Sequence, residues 1–133
     1  MSNANVTLIK NMYEAFKRGE IETIIAALTP DVDWQVYGNP HDYPTIGRWK
    51  GPNGAQDFFR TVAEMQDVTE FAPRDFYAAG DKVFALGRYG WKVRKTGKAA
   101  GGEWCHVFTF KNGKVSQFRE YTDTAAFAAA GRA

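Results

Sequence analysis

The order of helical and strand patterns along these 133 residues predicts an α+β domain: helix, helix, strand, helix, and then a meander of four antiparallel strands. Three observations carry that reading. Apolar residues at helical spacing are concentrated in the first half of the chain, aromatic and β-branched runs fill the second, and glycine-bearing turn signals fall between those runs.

In residues 6–17, Leu8, Ile9, Met12, Tyr13 and Phe16 recur at helical spacing, and Gly19 ends the segment as a C-cap. Residues 20–28 repeat the pattern with Ile21, Ile24, Ile25 and Leu28, and Thr29-Pro30 closes it. Residues 32–37 alternate as a strand with Val32, Trp34 and Val36 on one face. Residues 38–51 read as a loop, interrupted by Asn39-Pro40, Tyr43-Pro44 and Gly47; loops of this length border binding sites more often than short connectors do. Pro52 and Asn53 open a third helix that runs to about Met65 and buries Phe58, Phe59, Val62 and Met65. From Thr69 to Asp123 the turn signals Ala79-Gly80-Asp81, Thr96-Gly97-Lys98 and Asn112-Gly113 separate four strands, and residues 124–130 form a short helix anchored by Phe127.

The last hairpin carries ionisable residues on an otherwise apolar face. A two-residue Asn112-Gly113 loop would set His106 opposite Arg119. A three-residue loop of Lys111, Asn112 and Gly113 slips the pairing by one, setting His106 opposite Phe118 and Trp104 opposite Glu120. The second register is favoured, because it gathers Trp104, His106, Phe108, Phe118 and Glu120 on one face and leaves Glu103, Cys105, Thr109, Gln117 and Arg119 on the other.

Composition narrows the function classes. The chain is one domain, residues 1–133, with 44% hydrophobic and 15% aromatic residues, which argues against disorder. A formal charge of +2 is too small to argue for nucleic acid or an anionic membrane, and Lys92, Arg94, Lys95 and Lys98 read as a solvated hairpin tip. Cys105 is the only cysteine, so neither an internal disulfide nor a cysteine metal site is expected. The first five residues lack a signal-peptide pattern and no run of about 18 apolar residues occurs, so a cytoplasmic location without a membrane partner is expected.

Residues 9–22 (IKNMYEAFKRGEIE), 31–36 (DVDWQV), 47–51 (GRWKG), 112–115 (NGKV) and 119–123 (REYTD) together resemble the SnoaL-like branch of the nuclear transport factor 2 superfamily, which is related to polyketide cyclases and ketosteroid isomerases. The resemblance spans nearly the whole chain and rests on the order and spacing of these segments. It implies a cone-shaped curved antiparallel sheet wrapped around three N-terminal helices, a cystatin-like α+β barrel, with a pocket between helices and sheet. It also implies a homodimer formed through the outer sheet face, where Cys105, Val107 and Tyr121 mix with a few charges as an interface would.

The resemblance does not by itself choose an activity. A gap-free match to ketosteroid isomerases puts Val36 at the catalytic base, Met12 at the tyrosine and Cys105 or His106 at the acid, so ordinary steroid isomerisation is disfavoured. Tyr13 lies one residue and about 100° around the helix from that tyrosine position and is not expected to substitute for it. The cyclase resemblance fares better. His106 and Glu120 fall where those enzymes keep a histidine and a carboxylate on the last two strands, with Glu for the usual Asp; Glu120 would move the proton and His106 would stabilise an enolate.

The expected ligand is a small hydrophobic cyclic compound in a pocket lined by Met12, Trp34, Val36, Phe58, Trp104 and Phe118, handled without metal or organic cofactor. The alternatives are a structural His106–Glu120 pair and a non-catalytic ligand-binding or dimerisation module of the same fold. Asp31 and Asp33 read as turn or solvent-facing residues and His41 as an exposed loop residue. Arg119 with Asp123 only partly imitates the Asp-Arg-Asp relay of limonene-epoxide-hydrolase-like sites. A scytalone-dehydratase-like site would need His41, His106 and Tyr37 to converge.

Overall fold

Helix α1 (Ala4–Lys17) buries Ile9, Met12, Tyr13 and Ala15. It stops at Gly19, whose φ of +74° lets the Gly19 and Glu20 N–H groups turn back to the Phe16 and Ala15 carbonyls, a Schellman ending. The computed structural model describes residues 4–132; residues 1–3, part of the segment read for a signal peptide, lie outside it. Helix α2 (Ile21–Ala26) is shorter than its apolar pattern predicts, because Leu28 is taken into strand β1 (Leu28–Val36), opposite Val115. Pro30 has no N–H to offer a ladder, and the β1 register shifts between Leu28 and Asp33.

The expected loop 38–51 contains a strand, β2 (Gly47–Lys50), paired antiparallel with β1 from Val36↔Gly47 to Asp33↔Lys50. Four residues are too few to show an alternation that sequence could reveal. The preceding residues fold inward rather than out, burying Tyr43, Thr45 and Ile46. Helix α3 (Gly51–Met65) follows, with Pro52 in its first turn and Ala55 and Phe58 buried.

The meander forms as β3 (Gln66–Ala79), β4 (Lys82–Val93), β5 (Ala99–Lys111) and β6 (Lys114–Thr122), and helix α4 (Thr124–Gly131) closes the chain, capped by the Asp123 carboxylate on the Ala126 N–H. All six strands make one curved, unclosed sheet in the order β2-β1-β6-β5-β4-β3. Every pairing is antiparallel except that of β1 with β6, which joins the first half of the chain to the meander. The concave face holds the core, with α1, α3 and α4 against it.

The hairpin register differs from the favoured one. The loop has two residues, Asn112 (φ 54°) and Gly113 (φ 80°), both left-handed as a type I′ turn requires. A β-bulge then inserts Ser116, so that Phe110 faces Val115 but Thr109 faces Gln117. His106 comes to lie opposite Glu120, and Phe108 opposite Phe118. The bulge keeps the expected residues on the inner face while moving each partner by two.

Candidate functional site

His106 and Glu120 face each other at the inner wall of the sheet, 6% and 7% exposed. His106 Nε2 lies 3.6 Å from Glu120 Oε1, close enough for electrostatic pairing but longer than a hydrogen bond. The imidazole is fixed on its faces and edges: Trp104 stacks on it at 4.0 Å and 15°, and Phe118 meets it edge-on at 4.8 Å. Trp104 can lie there because its partner on β4 is Gly87, where a Cβ would overlap the indole.

Two phenols complete the group. Tyr13 reaches from α1 to place its hydroxyl 2.8 Å from His106 Nδ1. Burial, then the Glu120 charge, then Cys105, raise the Tyr13 pKa well above the usual tyrosine range, so the hydroxyl keeps its proton. It can donate to Nδ1 or accept from it, according to the imidazole tautomer. Tyr89, on β4, donates to Glu120 Oε2 at 3.0 Å and also contacts the Thr122 hydroxyl. Burial and the Glu120 charge likewise raise its pKa. Tyr89 must cross β5 to reach β6, and the residue opposite it on β5 is Gly102.

These groups border a cavity of about 100 Å3 between α1, α3, α4 and the sheet. Of the six expected lining residues, Met12, Trp34, Val36, Phe58 and Phe118 border it. Trp104 does not; it stands behind His106, sandwiched against Phe71 at 5.4 Å. Phe127 of α4 also borders the cavity and stacks on Trp91 at 4.2 Å.

Tyr13, not expected to take the isomerase tyrosine's place, does reach the cavity wall through its contact with His106. Met12 and Tyr13 both border the cavity, because α1 lies within the concavity of the sheet and buries two consecutive residues rather than one narrow stripe. Tyr89 and Thr122 escaped the sequence reading altogether. Gly101 inside β5 marks the close approach of the Tyr89 carbonyl, which a Cβ would meet at 2.8 Å, but no local signal marks the reach of the Tyr89 phenol to Glu120.

Other candidates lie elsewhere. His41 is exposed and Tyr37 partly so, and neither borders the cavity. Asp33 is not a mere turn residue: on the outer face it receives Arg119 Nη2 at 3.0 Å and lies 3.4 Å from Arg48 Nε. Among the described residues, no three His, Cys, Asp or Glu side chains are grouped to hold a metal, and no helix is long and apolar enough to cross a membrane.

No curated protein matches the chain. Among solved structures it is similar to an NTF2-like protein of unknown function from Burkholderia pseudomallei, at 30% identity over 100% of both chains with a TM-score of 0.90. It is also similar to an NTF2-like protein from Burkholderia xenovorans, at 26% identity over 99% of this chain and 98% of that one, TM-score 0.88. A third is TerC, co-crystallised with polyporic acid, at 27% identity over 96% and 97% of the two chains, TM-score 0.85. Residues 9–118 match the SnoaL-like domain, and the chain belongs to that family.

Proposed function

We propose that this protein binds a small flat cyclic carbonyl compound in the cavity and performs cofactor-independent acid–base chemistry on it, of the isomerase or cyclase type. The carrying observation is the 3.6 Å gap between His106 Nε2 and Glu120 Oε1 beside the cavity. In this reading the Tyr13 hydroxyl donates to Nδ1, so Nε2 carries the imidazole hydrogen, and Tyr89 occupies the other carboxylate oxygen, which leaves a donor and an acceptor to act on one substrate.

In this reading a substrate carbonyl oxygen accepts the Nε2 hydrogen, and Glu120 Oε1 takes the proton from the adjacent carbon. The negative charge passes to the carbonyl oxygen and is held by the Nε2–H. With a conjugated enolate Glu120 returns the proton to the far carbon, giving an isomer; alternatively the enolate carbon attacks a second carbonyl of the same molecule and Glu120 returns the proton to the alkoxide so formed, giving a ring. Trp104 and Phe118 fix the imidazole before substrate arrives, and the apolar surroundings strengthen each hydrogen bond. The co-crystallisation of TerC with polyporic acid supports a cyclic ligand in a protein of this fold.

The test is hydrogen–deuterium exchange at the methyl group of acetophenone in D2O, followed by proton NMR, together with the titration of His106 in wild type and Glu120→Gln. Wild-type protein is expected to accelerate exchange, and Glu120→Gln to slow it by roughly 10²- to 10⁴-fold, the usual contribution of a positioned acid–base group. The His106 resonances should move on ligand addition. Binding without exchange would leave a non-catalytic ligand-binding module, and a His106 silent to ligand would leave a structural pair.

The outer sheet face supports a homodimer. Leu86, Cys105 and Tyr121 lie in one row across β4, β5 and β6, and Tyr121 packs on Tyr37 at 4.9 Å with both rings partly exposed. Tyr121→Glu should shift the mass seen by sedimentation from dimer to monomer; an unchanged monomer in wild type would exclude this interface.

A further inference from the structure

Two further polar side chains border the cavity, Thr45 before β2 and Gln66 at the start of β3, on segments other than the β5 and β6 that carry His106 and Glu120. Thr45 borders the cavity at 4% exposure, and its hydroxyl has no hydrogen-bond partner among the described residues; only its carbonyl is used, by the Trp49 indole. The hydroxyl keeps accessible surface, unlike the sealed indole N–H groups of Trp34, Trp91 and Trp104. A hydroxyl that keeps accessible surface in a cavity and has no protein partner is free to bond a polar atom of whatever occupies the cavity, which gains one hydrogen bond there.

Gln66 borders the same cavity. Its amide oxygen accepts from the Tyr43 hydroxyl at 2.5 Å, while its amide nitrogen has no partner among the described residues. Burial pushes the Tyr43 pKa up to about 12, so its hydroxyl keeps the proton that it donates to the amide oxygen. Tyr43 is itself held by α4, packed on Phe127 at 5.0 Å and with Gly131 so close that a Cβ there would crowd its ring. Gln66 pairs with Val93, which lies four residue steps along β4 from Tyr89, about 13 Å of strand.

We propose that Thr45 and Gln66 form a second subsite that binds a hydroxyl oxygen on the edge of the ligand ring opposite the reacting carbonyl. Gln66 Nε2 donates to that oxygen and the ligand hydroxyl donates to Thr45 Oγ1. The ligand class is therefore a ring oxygenated at both ends, and Thr45 and Gln66 are specificity residues rather than catalytic ones. The inference rests on the cavity being the ligand site, but not on the proton transfer.

The experiment compares acetophenone with 4-hydroxyacetophenone by tryptophan fluorescence in wild type, Thr45→Val and Gln66→Leu, with the Gln66 side-chain amide resonances of the wild type followed by NMR. Wild type should prefer the hydroxylated probe by roughly 3- to 10-fold, the effect of one or two net hydrogen bonds. Each variant should lose most of that preference and keep its affinity for acetophenone, and the Gln66 amide peaks should move only with the hydroxylated probe. A preference that survives in both variants, or motionless Gln66 peaks, overturns the subsite. Intact preference in wild type without methyl exchange overturns the acid–base reading and leaves the subsite standing. Failure of both probes to bind overturns the two together.

Discussion

Strand β6 carries two consecutive charged residues that meet opposite fates. Arg119 points to the outer face, where Nη2 contacts Asp33 Oδ2 at 3.0 Å and Nη1 donates to the Asp33 carbonyl at 2.8 Å and the Phe118 carbonyl at 3.0 Å. Glu120 points inward, where one oxygen is satisfied by Tyr89 and the other faces an imidazole 3.6 Å away. The outer pair spends its hydrogen bonds on holding β1 to β6, the one parallel junction of the sheet. The inner pair leaves capacity unspent beside a cavity. Asp33 Oδ1 also lacks a hydrogen bond, yet neither Asp33 nor Arg119 borders the cavity, so access to the cavity, rather than burial or charge, separates the structural ion pair from the candidate reactive one.

That contrast breaks first on the outer face. Arg119→Ala leaves the partly buried Asp33 carboxylate and its carbonyl without their main donor. It should destabilise the fold by about 2 kcal/mol, between the values for exposed and buried pairs. Urea unfolding measures the loss, and acetophenone affinity should stay unchanged in the folded fraction. If Arg119→Ala instead altered ligand affinity with little loss of stability, the division of labour between the faces would be wrong.

The sequence exposed the fold and the two faces more readily than the contacts within them. Alternation is a property of single strands, so His106, Glu120, Phe108 and Phe118 could be assigned to one face without knowing their partners. Partnering depends on the bulge at Ser116, and neither Ser116 nor its neighbours carry a residue type that demands one. Helical spacing put Tyr13 on the apolar face of α1 but could not give its contact with His106, because the width of the buried arc depends on how far the sheet wraps around α1, which is a tertiary property. Tyr89 reaches its partner across a whole strand, a contact without a local signature. Thr45 lay within a segment read as loop, where its burial by the inward fold around Tyr43 has no local signature.

The smallest expected effect sharpens the comparison most. Tyr13→Phe removes one hydroxyl and keeps the ring among Phe71, Trp104 and Phe108, so near neutrality it should cost only about 1 kcal/mol, that of one lost hydrogen bond. The pH dependence separates this loss from simple repacking. In the unfolded chain tyrosine releases its proton near pH 10, whereas folded Tyr13 holds its proton well above that. Above about pH 10 the folded state therefore binds more protons than the unfolded one, and stability falls as pH rises. Phenylalanine has no such proton, so the stability gap between wild type and Tyr13→Phe should narrow from pH 9 to pH 11, with Tyr89 and Tyr43 supplying the slope that remains. Arg119→Ala, with no titrating group near that range on its pair, should run parallel to wild type over the same interval. Parallel curves for both variants would mean that the Tyr13 hydroxyl is not held buried against His106, and the imidazole tautomer on which the inner pair's spare capacity depends would lose its support.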